Sequence, residues 1–373
     1  MGARVGGRRP LPGQPVTVSL TACTASQLAP AALRALTEHA QAQADDGGLV
    51  FGTYPQLLDR FHATAAKLLA VSADDISFHR NTTEALSLIA NGYPFEPGDE
   101  VLSYVHEYPA NHYPWRLLED RGVRLVELAE LTPAAIESAL TERTRVVALS
   151  HVQFVTGFAL DVDAVATLCR QRGVDLVLDA AQSLGALPLE PASLGIAAVA
   201  SSGWKWLRGP IGSGLMYTSV ELRSRLAHVV VGAESMRQGT DYLDRSWAPH
   251  TSAKRFEYAT SSPALVAALE ASIAELLGHG VATIRAQLML LQDLLIERLD
   301  PALYESLLFA DANRSGILAL RCAARAPEQI VEALTQAGFA ATARGGYLRI
   351  APHHDVAPGE IVRLAETLDK VGR

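Results

Sequence analysis

The sequence predicts an α/β fold, with a large domain built on a mainly parallel sheet and a small α+β domain after it. Between about residues 75 and 220, short apolar runs alternate with helical patterns. These runs comprise residues 76–78, 101–105, 123–128, 146–152, 174–178, 197–200 and 215–217. Short, almost continuously apolar strands separated by helices are typical of a parallel sheet covered on both faces. We therefore expect seven strands in the large domain.

The helical patterns give the order of the remaining elements. Residues 162–172 form a clear helix ended by Gly173, and residues 262–299 form a longer one in which Gly278 and Gly280 predict a bend or a break. A strand, a helix, a strand and a final helix are then predicted at residues 317–321, 327–337, 347–350 and 358–371.

From this order we expect three parts. Residues 1–15 are basic, rich in Gly and Pro and not followed by an apolar segment, which predicts a flexible tail and not a signal peptide. Residues 16–260 would form an N-terminal segment and the large domain. Residues 261–373 would form an interdomain helix and the small C-terminal domain.

Composition excludes several classes of protein. The 373 residues include 40 Asp and Glu against 32 Lys and Arg, a net charge of −8, which argues against a general nucleic-acid or anionic-membrane binder. No apolar stretch approaches the ~18 residues needed to span a membrane. Three scattered cysteines, Cys23, Cys169 and Cys322, do not make a disulfide framework or a Cys-rich zinc site. We expect a cytoplasmic protein without a metal.

Two candidate sites lie where predicted strands end. The turn Asn81-Thr82-Thr83-Glu84 opens a helix, and its amides and hydroxyls suit a phosphate group, although an ordinary helix cap uses the same residues. Asp179 ends the apolar run 174–178, at the edge where α/β proteins bind ligands, although it too could simply cap a helix.

Two further candidates are basic residues in apolar surroundings. Lys205 lies between Trp204 and Trp206, so that partial desolvation would favour a nucleophilic amine over an ordinary surface lysine. Arg349 lies in an otherwise apolar strand and needs an anionic partner, either an internal acid or a substrate carboxylate. A lysine, an acid, a phosphate cradle and an arginine are together the parts of a pyridoxal-phosphate site.

The sequence resembles the class V aminotransferase family of fold-type I pyridoxal-phosphate enzymes, which includes cysteine desulfurases and isopenicillin N epimerase. The similarity extends from about residue 18 to the end. It is carried, in order and at suitable spacing, by Asn81-Thr82-Thr83-Glu84, Glu107-Tyr108-Pro109-Ala110-Asn111, Ser150-His151-Val152, Asp179-Ala180-Ala181-Gln182 and Ser202-Gly203-Trp204-Lys205.

The resemblance implies pyridoxal 5'-phosphate as cofactor and a role for each matching residue. Lys205 would be the Schiff-base lysine and proton carrier, and Tyr108 would stack on the cofactor. Asp179 would pair with the ring nitrogen and Gln182 would approach the phenolic oxygen. The phosphate would be held by Thr82, Thr83 and Ser202, with Trp204 as a further donor. Arg349 would bind the substrate carboxylate, and Thr260 would reach the phosphate of a partner subunit, which implies a homodimer with its active site at the interface.

Two departures from the family pattern bear on the reaction. Phe154 stands where many relatives have an asparagine near the phenolic oxygen, and the neighbouring Gln153 is a possible substitute. Cysteine desulfurases need a mobile cysteine shortly before the carboxylate arginine. Here residues 343–347 contain none, so a persulfide-forming desulfurase is not expected.

Several reactions remain open at this point. The motifs around Tyr108 and Lys205 look closer to isopenicillin N epimerase-like members, which favours epimerisation or Cβ–S cleavage of an amino acid or amino-acid conjugate, in secondary metabolism. Transamination is the alternative within the family. A cofactor-binding regulatory or scaffold protein without catalysis is the alternative of another class.

Overall fold

The computed structural model describes residues 18–239 and 241–373, so the predicted tail over residues 1–15 lies outside the described residues. The chain divides into two compact units. The large unit consists of Leu28–Gln153 and Leu160–Val281, and the small unit of residues 18–27, Phe154–Ala159 and Ala282–Arg373. The division at residues 260 and 261 expected from the sequence stays a prediction.

The described residues form thirteen strands and twelve α-helices. The strands are β1 (Val18–Ser19), β2 (Ile76–His79), β3 (Glu100–Tyr104), β4 (Arg124–Leu128), β5 (Thr144–Ser150), β6 (Asp175–Asp179), β7 (Ala198–Ser202), β8 (Gly214–Thr218), β9 (Tyr304–Ser306), β10 (Leu318–Cys322), β11 (Phe339–Ala340), β12 (Thr342–Arg344) and β13 (Tyr347–Ile350). The helices are α1 (Pro30–Asp46), α2 (Tyr54–Leu69), α3 (Thr82–Gly92), α4 (Tyr113–Arg116), α5 (Pro133–Ala139), α6 (Val162–Arg172), α7 (Pro191–Leu194), α8 (Val220–Arg225), α9 (Pro263–His279), α10 (Val281–Ile296), α11 (Pro327–Gln336) and α12 (Pro358–Gly372).

The large unit contains the predicted seven-stranded sheet, in the order β2-β8-β7-β6-β5-β3-β4. All pairs from β7 through β4 are parallel, and β8 alone runs antiparallel to its two neighbours. Strands β2, β7 and β8 are buried along their whole length, as continuous apolar runs require when both faces are covered. The prediction of a mainly parallel sheet is therefore confirmed.

Helix α3 begins with a side-chain cap but not with a complete capping box. The Asn81 side chain accepts a hydrogen bond from the Glu84 backbone N–H at 2.9 Å. The Glu84 carboxylate accepts from the Arg80 backbone N–H at 2.7 Å, one residue before the position that a reciprocal capping box would use. The cap still places the first turn of α3 at the carboxyl end of the sheet, beside the end of β7.

The small unit is an α+β structure with its own core. Strands β12, β13, β10 and β9 form an antiparallel sheet in that order, and β1 pairs with β11. Leucine and isoleucine side chains from the sheet, α10, α11 and α12 form one buried cluster. The helical pattern over residues 262–299 is interrupted at Gly280, whose φ of 79° ends α9, whereas Gly278 lies inside that helix.

The N-terminal helices were not predicted from the sequence. Helices α1 and α2 both pack against α9, within the large unit. Among the residues the structure describes, no single helix is long and apolar enough to cross a membrane; only α9 and α10 taken together, as a bent pair, meet that length and composition.

Candidate active site

Two hydroxyl groups meet at the N-terminus of α3. Thr82 is the first residue of this helix and Ser202 is the last residue of β7, and their side-chain oxygens are 2.7 Å apart. Both residues are buried, whereas Thr83 is exposed. The positive end of the helix dipole and two convergent hydroxyls make this a suitable cradle for an anion such as a phosphate.

Asp179 ends β6 in a buried position. Its side chain accepts a hydrogen bond from the Ala181 backbone N–H at 2.8 Å. Burial raises the pKa of Asp179, while the positive charge of Lys205 and the Ala181 N–H act in the opposite direction. The two residues predicted to flank a cofactor ring therefore interact electrostatically in the structure.

Lys205 lies among aromatic side chains, as its sequence neighbours predict. Its Nζ is 5.3 Å from the centroid of the Tyr108 ring. Trp206 is fully buried and donates its indole N–H to the side-chain oxygen of Gln182 at 3.3 Å, while Trp204 is half-buried. An amide whose oxygen accepts this bond keeps its NH₂ group available as a donor, which suits the approach to the phenolic oxygen that the family resemblance implies for Gln182.

Gly203 is required for the close packing before Lys205. A Cβ at this position would lie 2.4 Å from the Ser213 side-chain oxygen and 2.9 Å from the Ser213 carbonyl oxygen. The backbone N–H of Gly203 also donates to that carbonyl at 2.7 Å. The glycine in the Ser-Gly-Trp-Lys motif thus lets the lysine-bearing segment lie directly against the strand that follows it.

The residues around Tyr108 are fastened to the end of β5. The buried Gln153 donates its side-chain N–H to the His106 carbonyl oxygen. Glu107, also buried, accepts hydrogen bonds from the Ser150 backbone N–H at 2.7 Å and from the Ser150 hydroxyl. The sequence alone indicates no role for Glu107, although this residue directly precedes Tyr108 in the Glu-Tyr-Pro-Ala-Asn motif.

His151 is a second buried titratable residue to which no role was assigned. Burial lowers its pKa to about 4, so it is neutral at pH 7. Its Nδ1 has no hydrogen-bond partner among the described residues, and its backbone N–H donates to the Asp179 carbonyl at 2.9 Å. The only sequence signal for it is its place in the Ser-His-Val motif.

Arg349 is held inside the small unit by uncharged acceptors. Its Nη1 donates to the Phe154 carbonyl at 2.6 Å, and its Nη2 donates to the hydroxyls of Thr24 and Thr342 at 3.2 and 3.1 Å. The side chain is 3% exposed, and its Nε has no partner among the described residues. No ion pair of the described chain includes Arg349. Among the described residues, therefore, no internal salt bridge explains this buried cation.

The segment before Arg349 is a tight β-hairpin without a thiol. Thr342 is opposite Arg349 and Arg344 is opposite Tyr347, which leaves only Gly345 and Gly346 in the turn. Their φ angles are 57° and 79°. Two-residue turns of this kind need positive φ at both positions, which glycine adopts without strain.

The structure brings one cysteine near Arg349 that is distant from it in sequence. The Cys23 sulfur is 3.8 Å from the Thr342 hydroxyl, and the residue is 2% exposed.

Thr260, predicted to reach a partner subunit, is exposed and donates its hydroxyl to the Glu234 carboxylate at 3.0 Å. Within the described residues, no group of three or more His, Cys, Asp or Glu side chains is placed to hold a metal ion.

This mainly parallel sheet, with a lysine and an acid at its carboxyl edge and a hydroxyl-lined helix N-terminus, defines an α/β enzyme of the pyridoxal-phosphate type. Residues 25–357 match the family model described as aminotransferase class-V. The chain belongs to this family, and pyridoxal 5'-phosphate is its cofactor.

Curated relatives include proteins named as cysteine desulfurases. The chain is 32% identical over 290 residues to a cysteine desulfurase of Dickeya dadantii, which covers 73% of this chain and 67% of that protein. It is 33% identical over 172 residues to a probable cysteine desulfurase of Methanothermobacter thermautotrophicus, covering 45% of this chain and 43% of that protein. The chain thus matches less than half the length of this second relative.

Solved structures show the same fold. The cystine C–S lyase C-DES in complex with its reaction product cysteine persulfide has a TM-score of 0.87 and 22% identity, covering 95% of this chain and 97% of that one. A variant of C-DES with glycine covalently linked to its PLP cofactor has a TM-score of 0.88 and 23% identity, covering 96% and 97%. The prediction of a fold-type I pyridoxal-phosphate enzyme is confirmed.

Proposed function

We propose that this protein is a pyridoxal-phosphate-dependent Cβ–S lyase, which cleaves an amino acid of the cysteine type and releases the sulfur product directly. The observation that carries this proposal is the buried Arg349, which has no anionic partner among the described residues and is preceded by a tight hairpin with no cysteine. Relatives named cysteine desulfurase and a structural neighbour named cystine C–S lyase support chemistry at the Cβ–S bond.

The residues of the large unit fit the cofactor. The hydroxyls of Thr82 and Ser202 already converge at a helix N-terminus, and Thr83 would add a third donor to the phosphate. Asp179 would pair with the ring nitrogen and Lys205 would hold the cofactor covalently. The remaining contacts would come from Tyr108, Trp204, Gln153 and Gln182. When bound, the cofactor supplies an electron sink for the pair left at Cα.

The protein side chains would then divide the remaining tasks. Arg349 would bind the α-carboxylate through charge-assisted hydrogen bonds, and Lys205 would take the proton from Cα. The Cβ–S bond breaks with its electron pair on sulfur, which leaves as a thiol after protonation. With one water, the remaining carbon skeleton gives pyruvate and ammonium, so that R–S–CH₂–CH(NH₃⁺)–COO⁻ and H₂O yield R–SH, pyruvate and NH₄⁺.

The hairpin before Arg349 distinguishes the proposed lyase from a persulfide-forming desulfurase. A desulfurase passes sulfur to a protein thiol carried on a mobile segment near the carboxylate arginine. Residues 342–350 contain no cysteine, and a Cβ at Gly345 would lie 2.8 Å from Val155 Cγ1, so the turn is short and closely packed. Cys23 is close to Thr342 but buried, which does not suit a thiol that moves.

Product analysis tests the proposal. The holoenzyme is incubated with cystine, cysteine and an S-alkylcysteine, and pyruvate, ammonia, alanine and the sulfur product are quantified, with Lys205→Ala as the inactive control. We expect pyruvate and ammonia in equal amounts. Alanine with a protein-bound persulfide would indicate a desulfurase instead. Deuterium incorporation at Cα without pyruvate would indicate epimerisation, and dependence on a keto acid would indicate transamination.

We also propose that the active form is a homodimer. Thr260 is exposed and is therefore accessible to a second copy of the chain, which is the contact that the family resemblance implies, although its hydroxyl donates to Glu234 within its own chain. Exposed apolar side chains on the loop that follows α8 offer a surface for that copy: Val229, Val230, Val231, Tyr242, Leu243 and Trp247. Light scattering gives the mass in solution, and a monomer of full activity would refute the proposal. A cytoplasmic location stays a prediction.

A further inference from the structure

A buried carboxylate precedes the ring that lies over Lys205. Glu107 is 8% exposed, and the next residue, Tyr108, is 43% exposed with its ring centroid 5.3 Å from Lys205 Nζ. Because nearly half of the tyrosine is exposed, the position of its ring depends strongly on the backbone that carries it. Glu107 belongs to that backbone segment, but its side chain points into the protein.

The contacts of Glu107 tie this segment to the sheet. One carboxylate oxygen accepts from the Ser150 backbone N–H at 2.7 Å, and the other accepts from the Ser150 hydroxyl. Ser150 is the last residue of β5 and is paired in register with Asp179 on β6. The carboxylate therefore fixes the Tyr108 segment to the strand edge at which Asp179 lies.

Burying an acid here is unfavourable by itself. Burial raises the pKa of Glu107 to about 7, although the hydrogen bonds from Ser150 act in the opposite direction, and the nearby Asp179 raises it further. An apolar side chain at this position would avoid the desolvation cost but could not accept the two hydrogen bonds from Ser150. A glutamate at this position therefore makes directional hydrogen bonds to Ser150, and a residue that orients its neighbour needs such bonds.

We propose that Glu107 is a positioning residue that holds the Tyr108 ring against the cofactor by fastening its backbone to Ser150. This inference rests on the proposed function, because Tyr108 is assigned there to the cofactor. The Gln153 side chain, which donates to the His106 carbonyl, fastens the same segment from the other side of Glu107. Glu107 itself touches neither substrate nor cofactor in this role.

A double-mutant cycle on cofactor affinity tests the proposal without measuring activity. The dissociation constant of pyridoxal 5'-phosphate is measured by absorbance titration of the apoprotein for wild type, Glu107→Ala, Tyr108→Ala and the double variant. An aromatic contact of about 1.4 kcal/mol corresponds to a tenfold change in affinity. We expect each single variant to bind about tenfold more weakly, and the double variant to bind no more than about twofold more weakly than Tyr108→Ala.

Matched variants separate positioning from general damage to the fold. Glu107→Gln keeps one acceptor for the Ser150 N–H and should retain most of the affinity, and Glu130→Ala, on the exposed surface, should retain all of it. If Glu107→Ala does not fold, Ser150→Ala, which removes the hydroxyl donor to Glu107, takes its place in the cycle with Tyr108→Ala, and the losses should again be less than additive.

The possible failures can be told apart. Additive losses, or wild-type affinity in Glu107→Ala, would overturn the inference while leaving the proposed lyase intact. Unchanged affinity in Tyr108→Ala would also overturn it, because there would be no ring contact to position. A wild-type protein that binds no cofactor at all would overturn the proposed function itself.

Discussion

Replacing Arg349 by methionine gives the most direct test of the substrate site. Methionine fills a similar volume but removes the charge and all five N–H donors, including the Nε–H that has no partner in the described part of the chain. A hydrogen bond to a charged group contributes about 1.5–3 kcal/mol. We therefore expect the amino-acid substrate to bind Arg349→Met about 10- to 150-fold more weakly than wild type.

The assay is a titration of the holoenzyme with cystine, followed through the absorption of the cofactor. Thr342→Val is the matched control, because it removes one neutral acceptor at 3.1 Å from Nη2 but keeps the charge. It should weaken substrate binding by less than about tenfold. A folded Arg349→Met variant that binds cystine within twofold of wild type would refute the assignment of Arg349 to the carboxylate.

Three further predictions concern the cofactor link, the hairpin and one buried acid. Borohydride reduction of the holoenzyme should leave the cofactor mass on the peptide that contains Lys205, and Lys205→Ala should carry none; a labelled variant would contradict the assignment. Gly345→Ala should lower the free energy of unfolding by about 1–3 kcal/mol, because φ is 57° and the new Cβ would be 2.8 Å from Val155. Gly346→Ala, with open space around it, should cost only about 1 kcal/mol, and equal losses in urea unfolding would argue against the contact. Burial raises the pKa of Glu107 from 4.5 to about 7, so the folded state binds this proton more tightly than the unfolded state. Stability should therefore fall by up to about 3 kcal/mol as the pH rises from 4.5 to 7, and Glu107→Gln should remove that slope; an unchanged slope in urea unfolding would exclude Glu107 as its source.

Much of the fold follows from local patterns in the sequence. Seven apolar runs predict the seven strands, because a strand covered on both faces is mostly apolar. Helix α6 agrees with its prediction, from Val162 to the glycine that ends it at φ 65°. Helices α1 and α2 and the strands of two or three residues were not predicted, and strands this short contain too few side chains to define a period.

The candidate site could be predicted from the sequence only in part. Three residue types indicate their chemistry: an acid after a strand, a lysine between tryptophans and an arginine in an apolar strand. Each charged group is costly to bury in those surroundings without a partner. The identity of those partners could not be predicted from the sequence. Arg349 was equally consistent with an internal acid, and only its three uncharged acceptors exclude one.

The sequence alone therefore determines the fold class, the order of the strands in the large domain and the kinds of chemical group that the protein offers, since these depend on neighbours along the chain. The tertiary structure decides which groups meet: Thr82 with Ser202, Lys205 with the Tyr108 ring, and Glu107 with Ser150. These pairs are 120, 97 and 43 residues apart. Contacts at such separations arise when strands pair in one register and bring their carboxyl ends to a common edge, and no local pattern encodes that register.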